Sequence, residues 1–235
     1  DLRGIKELNS IVKRNKVVVL VACNTRFFPS FQLTKKLIGN NAIGRVLSVR
    51  IQCGFYLPFW HPYEDYRKGY SANKKLGGGV ILDDIHEIDT LYWLFCKAKE
   101  LFCFAGKLSY LSIDTEDLAE ITMRFRSGLL AQVHLDYLQR TYRRNYEFIG
   151  EKGIIVWDYI KQTVELFGKE VNQRRVFQEN INTDREIMFI NEVKHFINCI
   201  KGKEVSINDL YSAEDVLKIA LACKESAQKM KVVRL

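Results

Sequence analysis

Between Lys74 and Phe95 the chain reads KKLGGGVILDDIHEIDTLYWLF, and its histidine, set among carboxylates, has the type and spacing suited to moving a proton. A helix advancing 100° per residue sets Asp83, His86, Thr90 and Trp93 to one side, with Asp89 at the border, three positions from His86. Histidine titrates near neutral pH, and neighbouring carboxylates help decide which form it holds. An imidazole fixed among acids near a helix start is therefore suited to general acid–base work. The same spacing also serves a histidine satisfied as part of the structure, and spacing alone does not separate the two.

A second candidate precedes it. From Gly54 to Lys75, GFYLPFWHPYEDYRKGYSANKK follows no period, and it carries seven aromatics between Phe55 and Tyr70 together with His61, Glu64, Asp65 and Arg67. Loops this long usually cover a site. Aromatic faces such as Trp60 suit the CH surface of a sugar, while charged groups bind its hydroxyls or phosphates; a packed surface loop or an oligomer contact is the alternative. His134 and Asp136 alternate onto one strand face, with a structural pair favoured over a substrate contact. His195 reads as a core-edge residue, and no HExxH, CxxC or clustered His/Cys calls for a metal.

The elements that must position these groups follow from periodicity. In the 74–95 stretch Ile81, Ile85, Ile88, Tyr92 and Phe95 mark one buried helical stripe. Upstream, LRGIKELNSIVKRN predicts a helix, KVVVLVAC a strand buried on both faces of a parallel sheet, and FQLTKKLIGNN a second helix. From Arg45 the pattern turns to strands: RVLSVRIQCGF, Leu101 to Leu108, DLAEITMRFR, SGLLAQVHLDYLQR, NYEFIG, GIIVWDY and QTVELFG, joined by short turns as an antiparallel meander. Two helices close the chain, one from about Asp184 to Cys199 and one from about Ser212 to Met230 with Ser212 and Asp215 as a capping box. The fold class is α+β.

Composition narrows the classes further. The 235 residues are 47% hydrophobic, enough for a sizeable core. The longest apolar run falls far short of the roughly 18 residues a membrane span needs, and no leader pattern opens the chain. Six cysteines without a CxxC pair read as reduced thiols, hence a cytoplasmic location. The net charge of +8 admits nucleic acid, anionic lipid or a phosphorylated small molecule. Clusters such as Arg140, Arg143, Arg144 and Arg174, Arg175 are interspersed with acids and form no recognition motif, which disfavours nucleic acid.

In order, CNTRFFP, NAIGRV, YSANKKLGGGVILDDIHEIDTLYWLF, DTEDLAEITMRFRSG and GEKGIIVWD resemble the Gfo/Idh/MocA family of NAD(P)-dependent sugar and polyol oxidoreductases. The resemblance implies that residues 1-43 are the C-terminal remnant of a Rossmann dinucleotide-binding domain. It implies that residues 44-235 form an α/β substrate and oligomerisation domain, a large, mainly antiparallel sheet with helices on one face, through which the protein assembles as a homo-oligomer. By the same comparison His86 is the proton-transfer residue and Asp83 its acidic companion, Asn24 and Arg26 lie near the cofactor, and Arg67, Tyr70, Lys74 and Trp60 approach a sugar or nucleotide-sugar. In this chain Asp83 and His86 are three apart where the family commonly spaces them by four. The family's GxGxxG turn, ribose-binding acid and Glu-Lys-Pro lysine would fall ahead of Asp1. Gly77 to Gly79 do not replace that turn, because they follow no strand. The expectation is weak NAD(P) binding and little or no activity for this polypeptide alone; the alternative is a non-catalytic sugar-binding or oligomerisation domain.

Overall fold

A computed structural model describes residues 2–168, 170, 173–178 and 185–235. Its centre is a nine-stranded sheet, built from β1 (Val46–Gly54), β2 (Ala98–Gly106), β3 (Leu118–Phe125), β4 (Leu130–Asp136), β5 (Arg143–Gly150), β6 (Gly153–Asp158), β7 (Thr163–Phe167), β8 (Arg174–Gln178) and β9 (Val233–Arg234). The order is β8-β7-β6-β5-β1-β4-β3-β2-β9. All pairings are antiparallel except one: β1 inserts between β5 and β4 and runs parallel to β4, so the meander is interrupted at its middle.

Strict alternation gives the sheet two unlike faces. Val49, Ile51, Ile121, Met123, Ala131, Val133, Phe148 and Trp157 are buried on one side. The other carries Arg50, Gln52, Glu120, Thr122, Gln132, His134, Asn145 and Glu147 around a shallow hollow. Helices α1 (Ile5–Asn15), α2 (Pro29–Gly39), α3 (Val80–Asp83), α4 (Ile85–Phe95), α5 (Ile187–Ile200) and α6 (Leu210–Lys229) complete the unit. Of these, α6 packs along β2 and against α4, and α2 packs on β6 and β7.

Several expectations need correction. KVVVLVAC forms no strand: Val17 and Val18 are exposed, and Val21 is fastened to Asn208 through the Val21 N–H to the Asn208 carbonyl and the Asn208 side chain to the Val21 carbonyl. Among the described residues no strand lies beside it, and β-branched residues make a strand only with a partner to pair with. The helix at 74–95 is two helices, broken at Asp84, whose φ of −91° and ψ of 32° leave the helical region. Helix α6 starts earlier than expected, capped by Asp209, whose carboxylate accepts from the Ser212 N–H. Helix α5 begins at Ile187; the expected start at Asp184 lies outside the described residues. Strands β8 and β9 were not expected.

Candidate active site

The break at Asp84 is where the chemistry gathers. Asp84 sits at the N-cap position of α4, yet its carboxyl makes no capping bond. It turns instead to the Cys53 thiol, 3.7 Å away, and its second oxygen is buried without a partner. Burial, followed by the negative charge of Glu87, pushes the Asp84 carboxyl up to about 8, so it holds its proton at neutral pH. Asp83 Oδ2 accepts from the Tyr137 hydroxyl at 2.6 Å, while Asp83 Oδ1 is buried and unpartnered. His86 Nδ1 is in the same condition. Burial first, and the Arg144 guanidinium second, hold the His86 imidazole below its ordinary value and therefore neutral. Interiors rarely leave polar atoms unmatched, and three lie within four consecutive residues.

A cavity of about 380 Å³ opens against this segment, lined by Cys53, Gly54, Phe55, Trp60, His61, Asp83, Asp84 and Tyr142. The aromatic loop forms part of its wall. Trp60 donates its indole N–H to the Phe55 carbonyl at 3.1 Å and stands edge-on to Tyr137 at 5.4 Å, so loop, Tyr137 and Asp83 form one connected series. Tyr70 is mostly exposed, but burial of its hydroxyl and the nearby Asp83 carboxylate push it up to about 12.

Two buried ion pairs hold the turn at Asn24–Phe27 onto α4. Arg26 donates to both Asp89 oxygens at 2.7 and 2.6 Å. Arg144 pairs with Glu87 at 2.9 Å and reaches the Thr25 hydroxyl at 2.9 Å, while Glu87 also accepts from the Tyr146 hydroxyl. Thr25 in turn lies 3.5 Å from the Asn24 side-chain oxygen.

Of the residues expected at a site, Asp83 and Trp60 line the cavity; Tyr70 lies near Asp83 and His86 on the adjoining helix turn, both outside the lining. Arg26 is 2% exposed, and both arms of its guanidinium are engaged. Arg67 is exposed and paired with Asp65, and Lys74 lines a different hollow with Asp114, Glu116 and Lys224. Cys53, Asp84, Tyr137 and Tyr142 escaped the sequence reading, because only the strand order brings β1 and the end of β4 under α3. Arg144 was read as part of a basic cluster and is sealed inside; Arg174 pairs with Glu165, and Arg140 stacks 3.6 Å over Tyr56.

Other groupings carry less. Donor atoms of Cys53, Asp84 and Glu87 lie within 4.8 Å of one another, but Arg144 already neutralises Glu87 and burial pushes the Cys53 thiol well up. Cys199, His195 and Glu204 line up as a nucleophile, base and acid would, with Cys199 Sγ 3.5 Å from His195 Nε2. The Ile207 N–H donates to that same Nε2 at 3.2 Å and the thiol is buried, so the imidazole is spent on structure. His134 bridges Glu120 and Asp136 on the open sheet face, the structural pairing expected of it.

The glycine run before α3 is not shaped as a phosphate cradle. Gly79 has φ of 110°, and a Cβ there would lie 2.4 Å from the Glu116 carboxylate; at Gly78 it would lie 2.1 Å from the Tyr70 carbonyl. The glycines are used for close packing, and an acid stands where a phosphate would need donors.

Proteins of known structure share this architecture of an open sheet with helices on one side. Levoglucosan dehydrogenase in complex with NADH and levoglucosan superposes with a TM-score of 0.86 at 21% identity, over 98% of this chain and 70% of that one. The WlbA dehydrogenase from Bordetella pertussis, in complex with NADH and UDP-GlcNAcA, gives 0.81 at 19% identity over 100% and 69%. The chain belongs to the GFO/IDH/MocA family, whose C-terminal domain profile matches residues 31–156. Levoglucosan dehydrogenase of Pseudarthrobacter phenanthrenivorans is 36% identical over 182 residues, 66% of this chain and 45% of that protein. 1,5-Anhydro-D-fructose reductase of Ensifer adhaerens is 25% identical over 66% of this chain and 46% of that protein. The chain thus spans about half the length of these curated relatives. Among the described residues no helix is long and apolar enough to cross a membrane.

Proposed function

We propose that this chain is the substrate-binding and proton-transfer part of an NAD(P)-dependent oxidoreductase acting on a hydroxyl of a sugar or polyol. The observation that carries it is the run of unpartnered buried polar atoms on Asp83, Asp84 and His86 beside an aromatic-walled cavity. Oxidising a secondary alcohol removes a proton from oxygen and a hydride from carbon. A neutral His86 is in the form that takes the proton, and Asp83, held by Tyr137, stabilises the imidazolium that results. His86, Asp83 and Tyr137 thus serve the proton half of the reaction, and the packed glycines Gly78 and Gly79 take no part in holding a dinucleotide.

In this reading residues 1-43 are the end of a nucleotide-binding domain and residues 44-235 the substrate and oligomerisation domain. The bare apolar residues Leu8, Ile11, Val17 and Val18 support that division, for they suit burial against further protein. In the same reading Trp60, which lines the cavity, and Tyr70, whose hydroxyl lies near Asp83, contact substrate, with Arg67 and Lys74 at greater distance and Asn24 toward the cofactor. Six free thiols fit a reducing cytoplasm, and the polar sheet face is the surface for a homo-oligomer.

The test is nuclear magnetic resonance of the chain titrated with levoglucosan and with myo-inositol. The Trp60 indole and His86 ring signals are expected to move together. Movement confined to other residues would sink the assignment.

A further inference from the structure

The proposed site also has a charge preference, and it follows from what surrounds the cavity. Its ionisable lining is Asp83, Asp84, His61, Cys53 and Tyr142; among the described residues no lysine or arginine lines it. Three arginines of the surrounding elements are committed elsewhere: Arg144 to Glu87 and Thr25, Arg26 to Asp89 and the Ile207 carbonyl, Arg140 to the Tyr56 ring. An anionic substituent entering the cavity would shed water and meet Asp83 with no counter-charge, an arrangement that costs free energy whenever a charge is buried unpaired.

Hydroxyls meet the opposite conditions. Asp83 Oδ1 and Asp84 Oδ2 lie on consecutive residues, both buried and both without a protein partner. Asp83 with one oxygen held by Tyr137 has the other left to accept. Asp84 keeps its proton at neutral pH, so it donates as well as accepts. A polyol with neighbouring hydroxyls satisfies both at once, while Phe55, Trp60 and Tyr142 cover its CH face.

Resting on the function proposed above, we infer that the ring seated in this cavity is a neutral polyhydroxylated one, and that sugars bearing a carboxylate or phosphate on that ring are excluded by the Asp83 carboxylate and the lack of a lysine or arginine in the lining. The reacting sugar is then a neutral hexose, anhydrosugar or cyclitol, in place of a uronic acid or sugar phosphate.

The experiment titrates the full chain, at pH 7 and low salt, with levoglucosan and myo-inositol against glucuronate and glucose 6-phosphate, reading binding by magnetic resonance. Trp60→Ala and Asp83→Asn variants run alongside. Levoglucosan or myo-inositol is expected to bind at least 10-fold more tightly than either anion, with Trp60→Ala weakening it. Asp83→Asn is expected to narrow the gap by strengthening the anions relative to the neutral ligands. Equal or tighter binding of an anion that Trp60→Ala abolishes would overturn the charge preference and leave the cavity assignment standing. Binding of neutral ligands untouched by Trp60→Ala, or no binding of any of the four, would overturn both.

Discussion

Arg26 and Asp89, 63 positions apart, meet in a two-pronged ion pair whose side chains are only 2% and 3% exposed. Arg26 is thereby committed to fixing the Asn24–Phe27 turn on α4. Removing one partner leaves the other charge buried and alone, so Asp89→Ala is expected to cost about 3–5 kcal/mol of stability. Replacing both, as Arg26→Met with Asp89→Leu, should cost less than that single change. Urea unfolding of the three chains checks it; a double variant less stable than Asp89→Ala would refute the account.

His86 is expected to titrate below about 6.5, because burial and Arg144 both disfavour its charged form. The sign follows: between the lowered folded value and about 6.5 the unfolded chain binds the proton that the folded chain refuses, so stability falls as pH drops through that window. His86→Gln should flatten this acid-side loss. Following the His86 ring signal against pH gives the midpoint directly, and a value above 6.5 would contradict the neutral base.

Asp84 should behave in the opposite sense. Its folded value of about 8 lies above the unfolded carboxylate range, so the folded chain holds a proton that the unfolded chain has given up. Stability is lost as pH rises from about 4 to about 8 and changes no further above that. Asp84→Asn keeps the neutral shape and is expected to raise Tm by an amount that grows across this range. Thermal unfolding at pH 5 and pH 8 decides it: a gain no larger at pH 8 than at pH 5 would show that Asp84 is ionised.

NADH should bind this chain more weakly than about 1 mM, less than about 4 kcal/mol of association. The reason is local: Gly78 and Gly79 are pressed against the Tyr70 carbonyl and the Glu116 carboxylate, and Arg26 has no free donor arm. Calorimetric titration yielding an ordinary micromolar constant would show a seat that these residues do not suggest.

How far the sequence discloses these features depends on how local their causes are. LAEITMRF alternates strictly, and β3 buries every second residue as that pattern requires. The apolar rhythm of Ile88 and Leu91 likewise places α4 in the core. Asp83 and His86 stood out because both lie on one segment. Partners supplied by distant strands did not: Cys53 and Tyr137 reach Asp84 and Asp83 only because β1 enters beside β4, and no local pattern encodes that insertion. KVVVLVAC misled for the same reason, since β propensity describes fitness for a sheet and says nothing of whether a neighbour is present. RRVFQ in β8 is too polar to announce a strand, and β9 is two residues long.

His134 supplies a last test, on the sheet face away from the cavity. Its hydrogen bonds to the accepting carboxylates of Asp136 first, then Glu120, raise it to about 9 against the opposing effect of burial. Because the folded value is above the unfolded one, the proton stabilises the fold fully below about 6.5, and that contribution disappears as pH rises through about 9. The side chain is 29% exposed and Glu120 55%, so solvent screening keeps the effect modest, nearer 1 kcal/mol than the full shift would suggest. His134→Gln is therefore expected to lower Tm most at pH 6 and hardly at all at pH 10. A deficit constant between those two pH values would mean that the side chain contributes by packing, and that the Glu120–His134–Asp136 bridge is electrostatically silent.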